Sequence, residues 1–378
     1  MKDTPKSSTR RRWTIILIGL FMVFLWLPSL DTFFHVDRTL ARSENRNLAT
    51  FPKLPAKPQA YVQGLEAYFN DHFGFRKFLV RKFNRLRWSL FKEKNSYVLE
   101  GKDGWLYYTV GEAVDHYSGL LQFTPEQLHD WQVLLEARRD WLAKRGISFL
   151  FVVAPDKHSI YPEYLPSWAV KVRPQTKLDQ FVAYMHEHST VPILDLREVV
   201  VNAKQTRPTF LKIDAHWNLF GAFVAYQEIM RALAREHPGL DAPLPLADFT
   251  VTNELKMGGD LARFIGVNMT ESNYFNFTAK PELPRFSTEL SPPEHPQTPK
   301  FTKNPSAKGR VIVFQDSFAL GWIPFFGYHF NQVTYLWQYN LDPAWIEREK
   351  PDLVIMEMNE RFFNTEHPKS LLAKEALK

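Results

Sequence analysis

Val311-Ile312-Val313-Phe314-Gln315-Asp316-Ser317-Phe318 decides the fold. Its first four residues are apolar, three of them β-branched, and read as a buried strand of a parallel sheet. The run passes straight into Gln-Asp-Ser. A hydroxyl then stands at the carboxyl end of a central strand, where open α/β sheets bind their ligands. Serine is a weak nucleophile without a base. A base stands upstream in Lys212-Ile213-Asp214-Ala215-His216-Trp217-Asn218. Asp214 lies two residues before His216, within reach of the imidazole Nδ1–H, which fixes the tautomer and leaves Nε2 to take a hydroxyl proton. Singly, Ser317 also reads as a helix cap and His216 as a loop histidine. The pair, on an α/β pattern, points to nucleophilic catalysis.

The flanking sequence supplies that pattern. A helix is expected over 124–145, with Thr124 as N-cap, Pro125 at its first position and Gly146 past its end. An apolar strand over 147–153 empties into the polar loop Ala154–Pro162, and a helix (174–187) and strand (191–194) repeat the unit. Beyond Ser317, strands are expected over 333–336 and 353–358. Alternation of helix and apolar strand argues a three-layer α/β/α domain around a parallel sheet. Asn218 caps a helix whose apolar face is Phe220, Phe223, Val224, Ile229 and Leu233. Met257-Gly258-Gly259-Asp260-Leu261 reads as a turn opening a helix with Asp260 as a cap, and 279–308 as surface loop or a short hairpin.

At 378 residues, 45% hydrophobic and 15% aromatic, the chain is too apolar to be disordered. Of the formal net charge of +6, the first twelve residues carry +4. The remainder has no basic field to attract a nucleic acid, so no such partner is expected. There is no cysteine, which excludes disulfides, thiolate nucleophiles and Cys-ligated metals. No metal or cofactor is expected.

Residues 1–12 form a basic tail, and 13–30 are eighteen residues without a charge. An uncleaved transmembrane signal-anchor is expected there, its basic flank cytoplasmic and the rest of the chain outside. Residues 31–95 read as a stalk with Pro52, Pro55 and Pro58, then a helical pattern from Tyr61 that breaks at Asp71–Gly74. From Arg76 to Lys94 follows a basic amphipathic helix, resting on lipid headgroups or packed on its own domain. Residues 96–378 are the catalytic domain, opening with a glycine turn and an aromatic strand, Gly101-Lys102-Asp103-Gly104-Trp105-Leu106-Tyr107-Tyr108.

With Asp214–Asn218, Gln315–Phe318, Ala154–Pro162 and Gly101–Leu106 placed, the chain resembles the SGNH hydrolase superfamily. Within it, the likeness is to the alginate O-acetyltransferases of AlgJ/AlgX type, over roughly residues 60 to 363. Ordinary SGNH hydrolases place the serine block first. Here Asp-x-His precedes Ser317, which implies a circularly permuted fold. The resemblance implies Ser317 as nucleophile, His216 as base and Asp214 as its orienting acid. It offers Asn359, with the Ser317 backbone N–H, as oxyanion donor. Gln315 departs from the usual glycine, and Glu360-Arg361 stands where an aspartate is expected. Trp105, Tyr107, Lys157, His158, Trp217 and Trp322 are the substrate-binding candidates, with ordinary core packing as the alternative for the rings. AlgX-type proteins carry a further C-terminal carbohydrate-binding domain, for which no sequence remains after the last strand, so the membrane-anchored AlgJ type is the nearer likeness.

The implied activity is O-acetyl transfer to an extracytoplasmic, alginate-like exopolysaccharide through an acetyl-serine, on the periplasmic side of the inner membrane. The implied partners are the polysaccharide acceptor, a membrane-bound O-acyltransferase supplying acetyl groups, and other polysaccharide biosynthesis and export proteins. A carbohydrate acetyl esterase and a non-catalytic scaffold of an export complex stay open.

Overall fold

The computed structural model describes residues 6–34, 49–52, 58–72, 74–75, 82, 97–290 and 297–375. The chain divides into two compact units, Met1–Glu93 with Pro293–His295, and Lys94–Pro292 with Pro296–Lys378.

The first unit contains the helices Lys6–Phe34 and Pro58–His72. The former leaves Trp13, Ile15, Leu17 and Phe21 exposed and carries in its last turn a buried Asp31 that accepts the Phe75 N–H at 3.0 Å. Among the described residues no helix is long and apolar enough to cross a membrane, so the crossing expected over 13–30 finds no support in the fold. The basic helix expected over 76–94 lies outside the described residues except for Lys82.

The second unit is built on strands β1 (Val98–Glu100), β2 (Leu106–Tyr108), β3 (Ser148–Ala154), β4 (Ile193–Asp195), β5 (Phe249–Met257), β6 (Thr270–Ala279), β7 (Ser287–Glu289), β8 (Lys300–Lys303), β9 (Arg310–Gln315), β10 (Gln332–Trp337) and β11 (Leu353–Asn359). Seven of them form one sheet in the order β4-β3-β11-β9-β10-β8-β7. The first five are mutually parallel and are the five strands expected from the apolar runs. The sheet is not wholly parallel, however. β8 pairs antiparallel with β10, and β7 antiparallel with β8, so the 279–308 segment supplies a hairpin at the sheet edge.

Strand periodicity splits the core into two layers. Val152, Val313, Val333, Tyr335 and Ile355 face the helix Leu219–Glu236, which buries Phe223, Tyr226, Ile229, Met230 and Leu233 against them. Phe151, Val153, Ile312, Phe314, Val354 and Met356 face the other way, toward Trp131, Leu134, Leu135, Phe181 and Met185 from the helices Pro125–Ala143 and Lys177–His188. The result is the expected α/β/α layering. Thr124 closes a full capping box with Gln127, and Pro125 opens the helix as its sequence predicts. One element lies outside the sequence reading: β5 and β6 pair antiparallel as a separate two-stranded ribbon.

Candidate active site

Ser317 follows directly on β9, and the turn around it is held by side chains from neighbouring strands. Asp316 Oδ1 accepts the Phe318 N–H at 2.9 Å, while Oδ2 accepts the Tyr339 hydroxyl at 2.6 Å and the Asn359 N–H at 2.8 Å. Glu357 on β11 accepts the Asp316 N–H at 2.9 Å. Burial, then the charge of Asp316, pushes the pKa of the Glu357 carboxyl well up. These groups fix the backbone on both sides of the serine. No hydrogen bond among the described residues uses the Ser317 backbone N–H.

The Asp-x-His loop is pinned with equal care. Phe210 and Trp217 form an isolated antiparallel bridge, and Leu211 N–H donates to the His216 carbonyl at 3.2 Å. Asn218 caps the next helix by accepting the Gly221 N–H at 2.9 Å, and its Nδ2 donates to the Pro208 carbonyl at 2.7 Å. Trp217 Nε1–H donates to the Phe318 carbonyl at 3.0 Å, a direct tie between the histidine loop and the serine turn.

These supports bring three predicted residues together. His216 Nδ1 is 2.7 Å from Asp214 Oδ1, and His216 Nε2 is 2.6 Å from Ser317 Oγ. Burial disfavours the imidazolium, but the hydrogen bond and charge of Asp214, with the charge of Asp260, outweigh it and raise the His216 pKa above 6.5. For Asp214, burial is overcome by the hydrogen bond and charge of His216, and its pKa falls well below the usual carboxylate range. Nδ1 thus donates to an ionised carboxylate, and Nε2 is free to accept the serine proton.

The remaining candidates stand differently. Asn359 is fully buried, and its Nδ2 donates to the Ala154 and Pro155 carbonyls at 3.2 and 3.3 Å. Its Oδ1 accepts the Arg361 N–H and Nε–H at 3.2 and 2.8 Å. Both polar atoms of its side chain are committed to joining the ends of β3 and β11, so the side chain offers nothing to an oxyanion. Lys157 is buried as well and donates to the carbonyls of Leu106 (2.8 Å), Lys212 (3.3 Å) and Asp214. It clamps the Lys212–Asp214 loop through backbone carbonyls, and its buried ammonium is committed to them. Trp105 stacks on Tyr161 and Tyr164, and Tyr107 donates to the Tyr161 carbonyl at 2.6 Å. His158 and Trp322 are likewise in the core. These five candidates for substrate contact are buried packing residues. Trp217, although mostly buried, lines a cavity of about 210 Å³ that also exposes His216 and Ser317. Its other walls include Tyr274, Phe275 and Asn276 of β6, so the unpredicted ribbon borders the site.

The sequence profile of the family described as SGNH hydrolase-like domain, acetyltransferase AlgX, matches residues 98–306. The chain belongs to this family. The match to the AlgX-type domain takes in Asp214 and His216 and stops short of Ser317. A protein of Pseudomonas syringae pv. tomato named probable alginate O-acetylase AlgJ is 27% identical over 247 residues, 64% of this chain and 60% of that protein. Its namesake in Pseudomonas aeruginosa is 27% identical over 233 residues, 61% of this chain and 56% of that one. The chain thus spans between about half and three-fifths of the length of these relatives. Among solved structures, Bacillus cereus PatB1 superposes with a TM-score of 0.54 at 17% identity, covering 72% of this chain and 99% of PatB1. A DHHW family protein from Eubacterium siraeum gives 0.52 at 13%, covering 75% of this chain and 99% of that one. At these identities the structural likeness establishes a shared fold alone.

Proposed function

We propose that the protein is a serine-dependent O-acetyltransferase acting on an extracytoplasmic, alginate-like polysaccharide. The observation that carries this is the continuous line Asp214–His216–Ser317, with contacts of 2.7 and 2.6 Å, in a member of the AlgX-type family. His216 Nε2 removes the Ser317 proton as Oγ attacks an acetyl carbonyl. The donor's leaving group departs with that proton, and the acetyl ester stays on Ser317. His216 then deprotonates a sugar hydroxyl, whose oxygen takes the acetyl group, and Ser317 recovers its proton. Asp214 holds the ring and stabilises the imidazolium in both halves. The Ser317 backbone N–H is the first donor for the developing oxyanion. The name of the Pseudomonas relatives supports alginate as the acceptor class.

The domain is proposed to work on the periplasmic side of the inner membrane, beside a membrane-bound O-acyltransferase that delivers acetyl groups and among other polysaccharide export proteins. The basic residues 10–12 before the charge-free run 13–30 support this placement. The deciding assay supplies an acetyl donor with and without an oligosaccharide acceptor and compares acetylated sugar with free acetate. Acetylated sugar as the main product supports transfer. Acetate alone, unchanged by acceptor, makes the protein an esterase.

A further inference from the structure

The sequence makes Asp260 a helix cap. In the structure Gly259 holds the cap position, Asp260 is the first residue of the short helix Asp260–Phe264, and its side chain has a different task. The turn Gly258-Gly259 after β5 lies against the catalytic loop so closely that a Cβ on Gly259 would overlap the Ile213 carbonyl, with the carbonyl carbon at 2.8 Å. Only glycine permits this approach. Asp260 is thereby laid along Ile213–His216. Its N–H donates to Asp214 Oδ2 at 2.8 Å, its Oδ1 accepts the Ala215 N–H at 2.8 Å, and the Ala262 N–H donates to the Ile213 carbonyl at 3.2 Å. Asp260 Oδ1 also accepts the Leu261 N–H at 2.6 Å. The other oxygen, Oδ2, stands 3.5 Å from His216 Nδ1, so the imidazole faces two carboxylates, both largely buried.

We propose that Asp260 is a positioning residue of the triad. One of its oxygens fixes the backbone of the Asp214–His216 turn, and the other shares the positive charge that forms on His216. The proposal rests on the reading of Ser317 and His216 as acyl-transfer groups. Burial, then the charge of Asp214, pushes the Asp260 carboxyl up to about 6, so its negative charge is present at neutral pH. The other ionisable groups around this cluster are Lys157 after β3, Tyr108 on β2, Glu271 on β6 and Arg361 after β11.

Two substitutions separate the tasks. Asp260→Asn keeps an acceptor for Ala215 and removes the charge, whereas Asp260→Ala removes both. The full-length protein is treated with phenylmethylsulfonyl fluoride across a pH series, and the mass gain on the Ser317 peptide is followed. This reaction needs neither acetyl donor nor sugar. In Asp260→Asn the midpoint of the acid limb is expected to fall by roughly one pH unit, because a stabilising charge near the imidazolium is lost. In Asp260→Ala the plateau rate is expected to fall on the order of a hundredfold, because the loop is no longer held in register. The Asn variant should lie between Ala and wild type. An unchanged midpoint in Asp260→Asn overturns the proposal, as do equal plateau rates in all three proteins. If the Ala variant does not fold, the Asn midpoint decides alone. If wild-type Ser317 resists the reagent, the acyl-transfer reading fails, and NMR titration of the His216 ring then decides on Asp260. A midpoint lower by roughly one unit in Asp260→Asn upholds the proposal, and an identical one overturns it.

Discussion

His216 Nε2 and Ser317 Oγ stand 2.6 Å apart although 101 residues separate them in the chain. The sheet brings them together. β9 delivers Ser317 at its carboxyl end, and the helix Leu219–Glu236 packs on the same sheet face with its N-terminus, and the loop before it, at that end. The Trp217–Phe318 hydrogen bond and the ring contact between Trp217 and Trp322, 6.0 Å between centroids, close the join.

The site predicts a defined pH dependence. In the proposed mechanism acylation requires neutral His216, whose pKa is raised above 6.5 by Asp214 and Asp260 against the opposing effect of burial. A raised pKa keeps the ring protonated to higher pH, so the rate should be low in acid and climb through a midpoint above 6.5. Initial rates with a chromogenic acetyl ester across the range test this. A midpoint below 6.5 contradicts the proposed environment of His216.

Gly259→Ala should cost activity without direct contact with any reacting atom. The new methyl meets the Ile213 carbonyl and forces the Asp214–His216 turn out of place. A displacement of about 1 Å lowers acylation on the order of a hundredfold. The check is the acylation rate of a variant whose circular dichroism matches wild type; an unchanged rate shows that the loop yields freely.

Asn359→Ala tests the position the resemblance assigned to the oxyanion. Its amide links Ala154, Pro155 and Arg361, so removal leaves buried groups unpaired and costs about 1–3 kcal/mol or more. A lowered urea midpoint is the expected result. A rate loss of about 10²–10³ with unchanged stability would instead mark an oxyanion donor.

Glu375→Ala should strongly destabilise the second unit. Arg138 and Glu375 form an ion pair with both side chains fully buried, and Glu375 also accepts the Leu341 N–H at 3.0 Å. Removing one partner strands a buried guanidinium, at a cost of about 3–5 kcal/mol. Urea unfolding measures it, and a midpoint equal to wild type refutes the assignment.

Much of this was legible because the chemistry is local. The five parallel strands are buried on both faces and so appear as short apolar runs, and Ser317, His216 and Asp214 sit in short polar stretches beside such elements. The β5–β6 ribbon was harder to read. Only one face packs, marked by Phe249 and Val251 opposite Phe277 and Ala279, while the outward residues resemble loop. That period-two pattern was the available signal. Asp316 gave only its adjacency to Ser317, and nothing near Asp260 in sequence says that it meets His216. The aromatic candidates misled for a related reason: nearness in sequence to a motif does not say which way a loop folds, and Trp105, Tyr107 and Trp322 turn into the core. Lys157 was unreadable as a clamp, because its partners are backbone carbonyls from two segments distant in sequence, Leu106 and the Lys212–Asp214 loop.

The central claim is a covalent acetyl group on Ser317. The direct measurement mixes the full-length protein with an acetyl ester donor, quenches in acid within the first turnovers, and analyses the peptide containing Ser317 by mass spectrometry. The account predicts one acetyl mass on that peptide in wild type. It predicts loss of the signal on adding an oligosaccharide acceptor, and no signal in Ser317→Ala. An unmodified Ser317 in a protein that is transferring acetyl groups, or full transfer by Ser317→Ala, would contradict it.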